Sequence, residues 1–427
     1  MNFSIPSLLT KKLLGSGLPF LFLAVILFSC ADSGKKSVVD SVALKAQNDL
    51  TDDARAWTDS VYASMTLDQK LAQLLMPAIY ANADRSSINN LKWYARDLHV
   101  GSILLLKGSA EAAAAIADSL EAIRDSIPNS PGTFIAVDAE TGLGMRFSDA
   151  PLFPWNSLIN SDVDDQTFYD YGREVGREAR IAGISMILGP VLDVKRDARK
   201  GGSIMKARSL GSDQFRVAEL SLAYARGLES QGVASVLKHF PGHGPTTTDS
   251  HNILPRISET RAELDSIDLV PFRTAIENGL SCIMVGHIWA EALDTVMRPA
   301  SFSPVVINDL LRKEMGFRGL VLVDAVGMGG AKGFSGVDAI IAGADIIIAP
   351  PDTKAELDQL RQAVNDGRLP MSRVEDAVKK ILFRKYLQDL HSGSRAELES
   401  QNGDIKERLH QEAPDIINRL KGKAVSQ

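Results

Sequence analysis

Short apolar runs alternate with amphipathic helical stretches from about residue 67 to about residue 350. Several runs, such as Gly101–Leu106, contain almost only apolar residues, which is typical of strands buried on both faces of a parallel sheet. Helix-like segments such as Ala110–Asp125 and Asp213–Gln231 separate them. Eight strands in alternation with helices predict an α/β fold, a TIM (β/α)8-type barrel. The predicted strands are Leu74–Ala81, Gly101–Leu106, Thr133–Glu140, Ser185–Val194, Ala234–Phe240, Ser281–Ile288, Gly319–Ala325 and Ala344–Pro350.

The chain has 427 residues, 45% of them hydrophobic, which is enough for one large barrel or for two smaller domains. We predict a single TIM-barrel catalytic domain over residues 51–390. A doubly wound open sheet is the alternative, but no glycine-rich dinucleotide fingerprint follows the first predicted strand. Residues 391–427 contain two helical patterns, Arg395–Gln401 and Asp404–Leu420, and form a predicted C-terminal helical tail. The formal charge of −6, without a basic stripe, argues against nucleic acid as a partner.

The first residues of the chain have the features of an export signal. Lys11 and Lys12 precede an apolar stretch, Leu18–Phe28, which is short for a stable membrane span and is followed by a small residue. The sequence Leu-Phe-Ser-Cys that ends at Cys30 resembles a bacterial lipobox, which implies a lipidated cysteine. An ordinary signal peptide with an incidental cysteine is the alternative.

We therefore predict a signal peptide with a lipobox over residues 1–29 and a flexible tether over residues 30–50. The lipid on Cys30 would hold the protein to a membrane of the cell envelope, at the outer membrane or the periplasmic face. The other cysteine, Cys282, lies in an apolar run and is interpreted as a small core residue.

Polar residues stand at the carboxyl ends of the predicted strands, where TIM-barrel active sites lie. Each has an ordinary structural explanation, since a lone aspartate often caps a helix or a turn and a lone histidine is more often a satisfied buried residue. Their convergence on one mouth of the barrel predicts an active site. The residues are Asp138, Glu140 and Arg146 after strand 3, Asp193 and Arg208 after strand 4, Lys238, His239, His243, Asp249 and His251 after strand 5, His287 after strand 6 and Asp324 after strand 7.

Two motifs after strand 5 resemble a known family. Lys-His-Phe-Pro-Gly-His-Gly over residues 238–244, followed by Asp-Ser-His over residues 249–251, is similar to the signature of the β-N-acetylglucosaminidase branch of glycoside hydrolase family 3. The resemblance covers about residues 60–390 and implies a TIM-barrel glycosidase. Further segments that resemble the family are Val137–Glu140 with Arg146, Gly189–Val194, Ala207–Gly211, Gly316–Leu320 and Val323–Ala325.

The resemblance implies a role for each matching residue. Asp324 would be the nucleophile that forms a glycosyl-enzyme intermediate and so retains the anomeric configuration. His251, paired with Asp249, would be the general acid and base, since histidine titrates near neutral pH. The implied substrate is a carbohydrate with a terminal β-linked N-acetylglucosamine, on peptidoglycan fragments or chito-oligosaccharides, and no metal or organic cofactor is implied. The residues expected to hold the sugar are Asp138, Arg146, Arg208, Lys238 and His239.

Three departures from the family pattern lie around the sugar pocket, at Glu140-Thr141-Gly142, Met205-Lys206-Ala207 and Pro245. These departures affect the prediction of the preferred sugar. A related β-glycosidase or phosphorylase of different specificity is therefore an alternative. A non-catalytic glycan-binding surface lipoprotein is another. A metal-dependent amidohydrolase is a further alternative, although the first strand ends without the His-x-His pair of that class. Its metal ligands would come from His239, His243, His251, His287 and Asp324.

Replacing the predicted lipidated cysteine tests the anchor. Cys30→Ala should move the protein from the membrane fraction to the soluble fraction, because no acyl chain would hold it. Cys282→Ala, at the predicted core cysteine, is the control and should leave the fractionation unchanged. An unchanged membrane fraction for Cys30→Ala would refute the lipid anchor.

Overall fold

The computed structural model describes residues 52–82, 84–196, 205–390 and 404–422. The expected signal peptide, the lipidated Cys30 and the tether lie outside the described residues. Within the described ranges, every helix is too short or too polar to cross a membrane.

The strands of the described chain form two five-stranded parallel sheets and a small two-stranded sheet. The strands are β1 (Leu75–Met76), β2 (Ala78–Ala81), β3 (Ser102–Gly108), β4 (Phe134–Val137), β5 (Met186–Ile187), β6 (Ala234–Ser235), β7 (Leu237–Phe240), β8 (Arg256–Ile257), β9 (Cys282–Val285), β10 (Trp289–Ala290), β11 (Leu320–Val323) and β12 (Ile346–Ile348). The orders of the large sheets are β2-β3-β4-β5-β6 and β1-β12-β11-β9-β7, and β8 pairs with β10.

The two large sheets share two stretches of chain. Only Pro77 separates β1 from β2, and only Val236 separates β6 from β7. β1 pairs with β12 and β2 with β3, while β6 pairs with β5 and β7 with β9, all in parallel. The sequential order of strands is that of a TIM-barrel-like α/β fold, as the alternation predicts. The hydrogen bonds form two sheets rather than the one uninterrupted ring that was predicted.

Three predicted strands are broken or shortened. Pro77 has no N–H group to donate, so the first predicted strand divides there. The fourth ends at Ile187, three residues before Pro190, which likewise has no N–H group to donate. In the fifth, the N–H of Val236 still bonds to a carbonyl of the β5 segment, whereas Leu237 pairs with β9. The strand therefore changes partners at that residue.

Helices alternate with the strands along the chain. The α-helices are α1 (Asp52–Ser64), α2 (Leu67–Ala72), α3 (Arg85–Lys92), α4 (Ala110–Asp125), α5 (Asp165–Ile181), α6 (Gln214–Glu229), α7 (Arg261–Glu263), α8 (Val270–Glu277), α9 (Gly336–Ala342), α10 (Thr353–Asn365), α11 (Met371–Leu387), α12 (Ile405–Leu409) and α13 (Ala413–Leu420). Residues Trp93–Asp97, Leu264–Asp268 and Val305–Glu314 are wound as π-helix, and Leu143–Met145, Asn156–Leu158, Ala300–Phe302 and Gly329–Ala331 as 3-10 helix.

Strands β9 and β11 show why the sheets are buried. Every residue of both strands is buried, and they pair in register from Leu320 opposite Cys282 to Val323 opposite Val285. Such runs exclude water from both faces of a parallel sheet, and helices cover them. Cys282 is a buried free thiol, which confirms its interpretation as a core residue.

The described part of the C-terminal tail packs on helix α5. Arg177 of α5 donates to the Arg408 carbonyl at 2.9 Å, and Arg419 forms an ion pair with the same helix. The predicted helix Asp404–Leu420 is divided into α12 and α13. The other predicted tail helix, Arg395–Gln401, lies outside the described residues.

A buried carboxylate ties the amino ends of two strands to the outer helices. Asp345, just before β12, accepts hydrogen bonds from Arg312 at 2.7 Å, from Arg373 at 2.6 Å and from the Val321 N–H at 2.9 Å. Burial alone would raise the pKa of Asp345, but Arg312, Lys380 and Arg373 lower it to about 2. This ion cluster stabilises the end of the sheet opposite the predicted active site.

Asp345→Ala should lower the free energy of unfolding by about 3–5 kcal/mol, because Arg312 and Arg373 would lose their buried partner. Urea denaturation measures the loss. Asp376→Ala, which removes an exposed partner of Arg373, is the control and should cost less than about 1 kcal/mol. Because the folded pKa of about 2 lies below the ordinary value of 3.8, the contribution is complete above about pH 4 and disappears as pH falls through about 2. Equal losses in the two variants would contradict this account.

Candidate active site

Two carboxylates that follow β4 share one buried ammonium group. Asp138 and Glu140 stand two positions apart, just beyond the apolar residues of the strand. Lys238 of β7 has a side chain only 3% exposed, and its Nζ lies 2.8 Å from an oxygen of each carboxylate. The parallel order of the sheet therefore brings residues one hundred positions apart into a single ion cluster.

Two arginines complete this charged cluster. Arg146 donates to the second oxygen of Asp138 at 2.7 Å, and Arg208 donates two hydrogen bonds to Glu140, at 2.6 and 2.8 Å. Paired arginine–carboxylate bonds of this kind are strong and fix the geometry of both groups. Every oxygen of the two carboxylates has a cationic donor, and the charges alternate in the order Arg146, Asp138, Lys238, Glu140, Arg208.

The cations keep both carboxylates ionised despite their burial. Burial alone raises the pKa of Glu140, but Lys238 and Arg208 hold it far below its ordinary value. Burial likewise raises the pKa of Asp138, and Lys238 and Arg146 outweigh that effect and lower it. Burial would lower the pKa of Lys238, but the two carboxylates raise it. The cluster is therefore fully charged at neutral pH.

Asp193, which follows β5, orients two histidines of the motif after β7. One of its oxygens lies 2.8 Å from His239 Nδ1, and the other accepts the backbone N–H groups of His239 and His243 at 3.2 and 2.6 Å. Burial alone would raise the pKa of Asp193, but the His239 ring and the His243 N–H lower it. With Nδ1 donating to Asp193, His239 Nε2 can accept from Arg208, 3.3 Å away.

His243 lies inside the histidine loop, which we define as residues 241–255. Its side chain is 1% exposed, its Nδ1 contacts the Thr246 hydroxyl, and its Nε2 lies 3.2 Å from Ser250 Oγ. Burial lowers the pKa of His243 to about 4, so the ring is neutral near pH 7. The buried His243 ring therefore fills the interior of the loop. The peptide bonds Lys238–His239 and Phe240–Pro241, at the entry to the loop, are cis.

His251 and Asp249 form a pair on the outer side of the same loop. Asp249 Oδ1 accepts the His251 backbone N–H at 2.9 Å and lies 2.7 Å from His251 Nδ1. The His251 side chain is 67% exposed. The backbone N–H of His251 is the largest cause that lowers the pKa of Asp249 below its ordinary value. An ionised Asp249 holds the proton on Nδ1 and leaves Nε2 for proton exchange.

The loop after β11 holds the histidine loop through two backbone hydrogen bonds. Gly329 donates to the His251 carbonyl and Gly330 to the Ser250 carbonyl, both at 2.9 Å. A Cβ on Gly329 would lie 2.1 Å from a carbonyl oxygen of the histidine loop, so the close approach requires glycine. The same loop begins with Asp324. The predicted nucleophile and the predicted acid therefore stand on two loops that are in contact.

Asp324 stands directly after β11, and its backbone is fixed to the neighbouring strand. Its N–H donates to the Val285 carbonyl at 3.0 Å, and its Oδ1 accepts the Ala325 N–H at 2.8 Å. Burial alone would raise the pKa of Asp324. The nearby His287 and His239 rings, the Ala325 N–H and, more weakly, the Lys238 ammonium lower it below its ordinary value. Asp324 is therefore an ionised carboxylate at neutral pH.

His287, at the end of the β9 segment, is fully buried and has a partner for each ring nitrogen. Nδ1 lies 2.7 Å from Ser301 Oγ, and Nε2 lies 3.1 Å from the Ala325 carbonyl. The ring stacks on Phe302, with 5.5 Å between the ring centres, and burial lowers the pKa of His287. The ordinary interpretation of this histidine as a satisfied buried residue is confirmed, and it supports the backbone beside Asp324.

The histidine partners also bear on the metal-dependent alternative. Nδ1 of His239 faces Asp193, and both ring nitrogens of His287 have partners. Among the described residues, no three His, Cys, Asp or Glu side chains are grouped as metal ligands would be. The amidohydrolase alternative therefore has no ligand set in this part of the chain.

The structure unites the residues that the sequence predicts to hold a sugar: Asp138, Arg146, Arg208, Lys238 and His239 form one connected cluster. Glu140, predicted at the mouth of the site, is the central anion of this cluster, and Asp193 orients the His239 ring beside it. The pair of His251 and Asp249 is bonded to the Asp324 loop through backbone groups. At the departures from the family pattern, Thr141 and Met205 are buried and Lys206 is exposed.

Residues 66–383 match the family model described as the glycosyl hydrolase family 3 N terminal domain. The chain is 29% identical over 375 residues to a protein of Cellulomonas fimi named beta-N-acetylglucosaminidase/beta-glucosidase, an alignment that covers 84% of this chain and 64% of that protein. It is 34% identical over 334 residues to the beta-hexosaminidase LpqI of Mycobacterium tuberculosis, which covers 74% of this chain and 82% of LpqI.

A solved structure shows that the similarity extends to the fold. The glycoside hydrolase family 3 beta-N-acetylglucosaminidase of Paenibacillus sp. aligns with a TM-score of 0.75 and 30% identity, over 84% of this chain and 68% of that chain. The chain thus spans about two thirds of the length of the Cellulomonas and Paenibacillus proteins.

His243→Gln should weaken the dependence of stability on acid pH. The folded pKa of His243, about 4, lies below the ordinary 6.5, so its contribution is complete above about pH 6.5 and disappears as pH falls through about 4. Over that range the wild type should lose about 3 kcal/mol more than the variant in urea denaturation. His410→Gln, at an exposed histidine, is the control and should follow the wild type. Parallel curves for wild type and His243→Gln would exclude a buried neutral His243.

Proposed function

The chain belongs to glycosyl hydrolase family 3, and on that basis we propose that it is a retaining exo-β-N-acetylglucosaminidase. It cleaves terminal β-linked N-acetylglucosamine from peptidoglycan fragments or chito-oligosaccharides. One observation carries the proposal: an ionised aspartate and a carboxylate-paired histidine stand on two loops that hydrogen-bond to each other, beside a charged cluster suited to sugar hydroxyls.

The charged cluster acts as the binding site for the terminal sugar. Its members are held by one another, so their donors and acceptors are in place before a ligand arrives and little reorganisation is needed. The Arg146 side chain is 25% exposed, so its guanidinium group can donate to a sugar oxygen. Asp138 is partly exposed and can accept a hydrogen bond from a hydroxyl group.

Asp324 acts as the nucleophile. A carboxylate oxygen forms a bond to the anomeric carbon as the bond from that carbon to the leaving oxygen breaks. Only the ionised form can attack, and the lowered pKa of Asp324 supports that form. In the second step water attacks the same carbon from the face that the leaving group vacated, and Asp324 is released as a carboxylate. Two inversions give net retention.

His251 supplies and recovers the proton. Its Nε2 gives a proton to the leaving oxygen in the first step and takes one from water in the second. Asp249 holds the other ring nitrogen at 2.7 Å and stabilises the imidazolium form. The exposure of the ring supports access to a leaving group that points out of the pocket.

We also propose that the protein is held in the cell envelope by a lipid on Cys30. This proposal rests on the lipobox-like sequence alone. A lipid anchor would place the site at a membrane surface.

Hydrolysis of 4-nitrophenyl β-N-acetylglucosaminide, with excess chelator present, tests the chemistry. Asp324→Asn should lower kcat by about 10⁴-fold or more, because the covalent step needs the carboxylate. His251→Ala should lower kcat/KM by about 10²-fold for alkyl glycosides and much less for nitrophenyl glycosides, whose leaving group needs little protonation. His410→Ala, at an exposed histidine outside the site, is the control and should match the wild type.

Three results would contradict the assignments. Wild-type activity in Asp324→Asn would exclude it as the nucleophile, and equal slowing of good and poor leaving groups in His251→Ala would exclude it as the acid. Turnover that stops in chelator would favour a metal-dependent reaction. Addition of inorganic phosphate separates the phosphorylase alternative, which would yield a sugar 1-phosphate in place of the free sugar.

A further inference from the structure

An ion pair between Arg196 and Asp268 lies beside the histidine loop. Asp268 is the last residue of the π-helical segment Leu264–Asp268, and its side chain is fully buried. Arg196 stands three residues after Asp193 and donates to Asp268 Oδ2 at 2.5 Å. The pair therefore joins the segment that follows β5 to a segment that comes after the histidine loop in the chain.

The first turn of the histidine loop contacts both of these segments. Gly242 approaches Asp268 so closely that an added Cβ would lie 2.8 Å from Asp268 Cβ. An added Cβ on Gly244 would overlap the Val194 carbonyl oxygen. Arg196 belongs to the same segment as Val194, so its bond to Asp268 links the two segments that the turn contacts.

The first turn is connected to the proposed acid through His243. The His243 ring is buried, and its Nε2 lies 3.2 Å from Ser250 Oγ. Ser250 directly precedes His251. A continuous series of contacts therefore leads from the ion pair to His251. Since a misplacement of about 1 Å can slow a catalysed reaction strongly, a shift of the first turn would reduce proton transfer.

The charge on Asp268 changes close to neutral pH. Burial raises the pKa of Asp268, and the Arg196 guanidinium lowers it. The nearby Glu259 and Asp193 carboxylates raise it again, and the resulting pKa is about 6. Because this folded value lies above the ordinary 3.8, the contribution of Asp268 to stability is complete below about pH 4 and is lost as pH rises through about 6. The ionised form, which attracts Arg196 most strongly, is therefore not the form that stabilises the fold best.

We propose that Arg196 and Asp268 are positioning residues, which hold the first turn of the histidine loop and thereby place His251 for proton transfer when Asp268 is ionised. This inference rests on the proposed glycosidase function. The buried Asp268 acts on the loop and not on the sugar. Protonation of Asp268 loosens the pair and adds a step to the pH dependence that comes from neither His251 nor Asp324.

Asp268→Asn tests the pair, because asparagine keeps the shape of the side chain and removes its charge. For methyl β-N-acetylglucosaminide, whose leaving group is poor, kcat/KM at about pH 7.5 should be about tenfold lower than in the wild type. At about pH 5 the two enzymes should agree within about twofold, since Asp268 is then mostly neutral in both. The ratio should change with a midpoint near pH 6, because titration of His251 or Asp324 affects both enzymes alike.

Asp265→Asn is the matched control in the same segment. Asp265 is partly exposed and pairs with Arg261 and Arg273, so this variant should match the wild type at both pH values. For the nitrophenyl glycoside the loss in Asp268→Asn should be much smaller, because that leaving group depends little on His251. Equal losses for both glycosides, or a ratio independent of pH, would overturn the proposal.

The melting temperature distinguishes positioning from a structural role. At about pH 7.5 Asp268→Asn should melt at or above the wild-type temperature, because it no longer buries a charged carboxylate. A melting temperature that falls together with activity would make the pair structural and overturn the proposal.

Nuclear magnetic resonance of the histidine rings tests the pair without turnover. At about pH 7.5 Asp268→Asn should shift the ring signals of His243 and His251, and Asp265→Asn should not. At about pH 5 the signals of Asp268→Asn and of the wild type should coincide. If the wild type hydrolyses neither glycoside, the proposed function fails, and these signals decide the inference by themselves. Ring signals that Asp268→Asn leaves unchanged at both pH values would overturn it.

Discussion

The buried ammonium of Lys238 is the interaction on which the site depends. Asp138 and Glu140 would repel each other in a dry environment, and one of them would take up a proton if no cation stood between them. Lys238 bridges both at 2.8 Å and so keeps them charged. Glu140 can then fix Arg208, whose backbone carbonyl accepts a hydrogen bond from Asn156 Nδ2. A chain of ion pairs and hydrogen bonds therefore runs from the buried Lys238 through Glu140 and Arg208 to Asn156.

The stabilising ion pairs and the residues of the site lie at opposite ends of the strands. The carboxyl ends carry the charged cluster, the histidine loop and Asp324, while the amino ends are held by ion pairs such as those of Asp345. Between them, the fully buried β9 and β11 set the spacing of the loops that follow. Function can thus be altered in the loops without loss of the ion cluster at the other end. At the carboxyl ends Asp193 joins two loops, because its side chain after β5 orients the backbone after β7.

Much of the fold and of the sugar cluster was accessible from the sequence. Apolar runs such as Cys282–Val285 mark buried strands, and polar residues directly after them must share one edge of a parallel sheet. The division of strands at Val236 was not accessible, because it depends on which neighbour each N–H group meets. The role of Glu140 as the partner of two cations was also missed. A carboxylate at a strand end looks the same in sequence whether it faces a ligand or a buried cation, and only the three-dimensional partners distinguish the two.

The hydrogen bonds from Gly329 and Gly330 to the histidine loop constrain how this site can diversify. Each loop helps to fix the backbone conformation of the other. At Gly329, the first of these contacts, no side chain larger than that of glycine fits. An insertion in one loop would displace the backbone groups to which the other loop hydrogen-bonds. The lengths of these two loops therefore constrain each other, and the remaining loops around the mouth have more freedom to vary with the substrate.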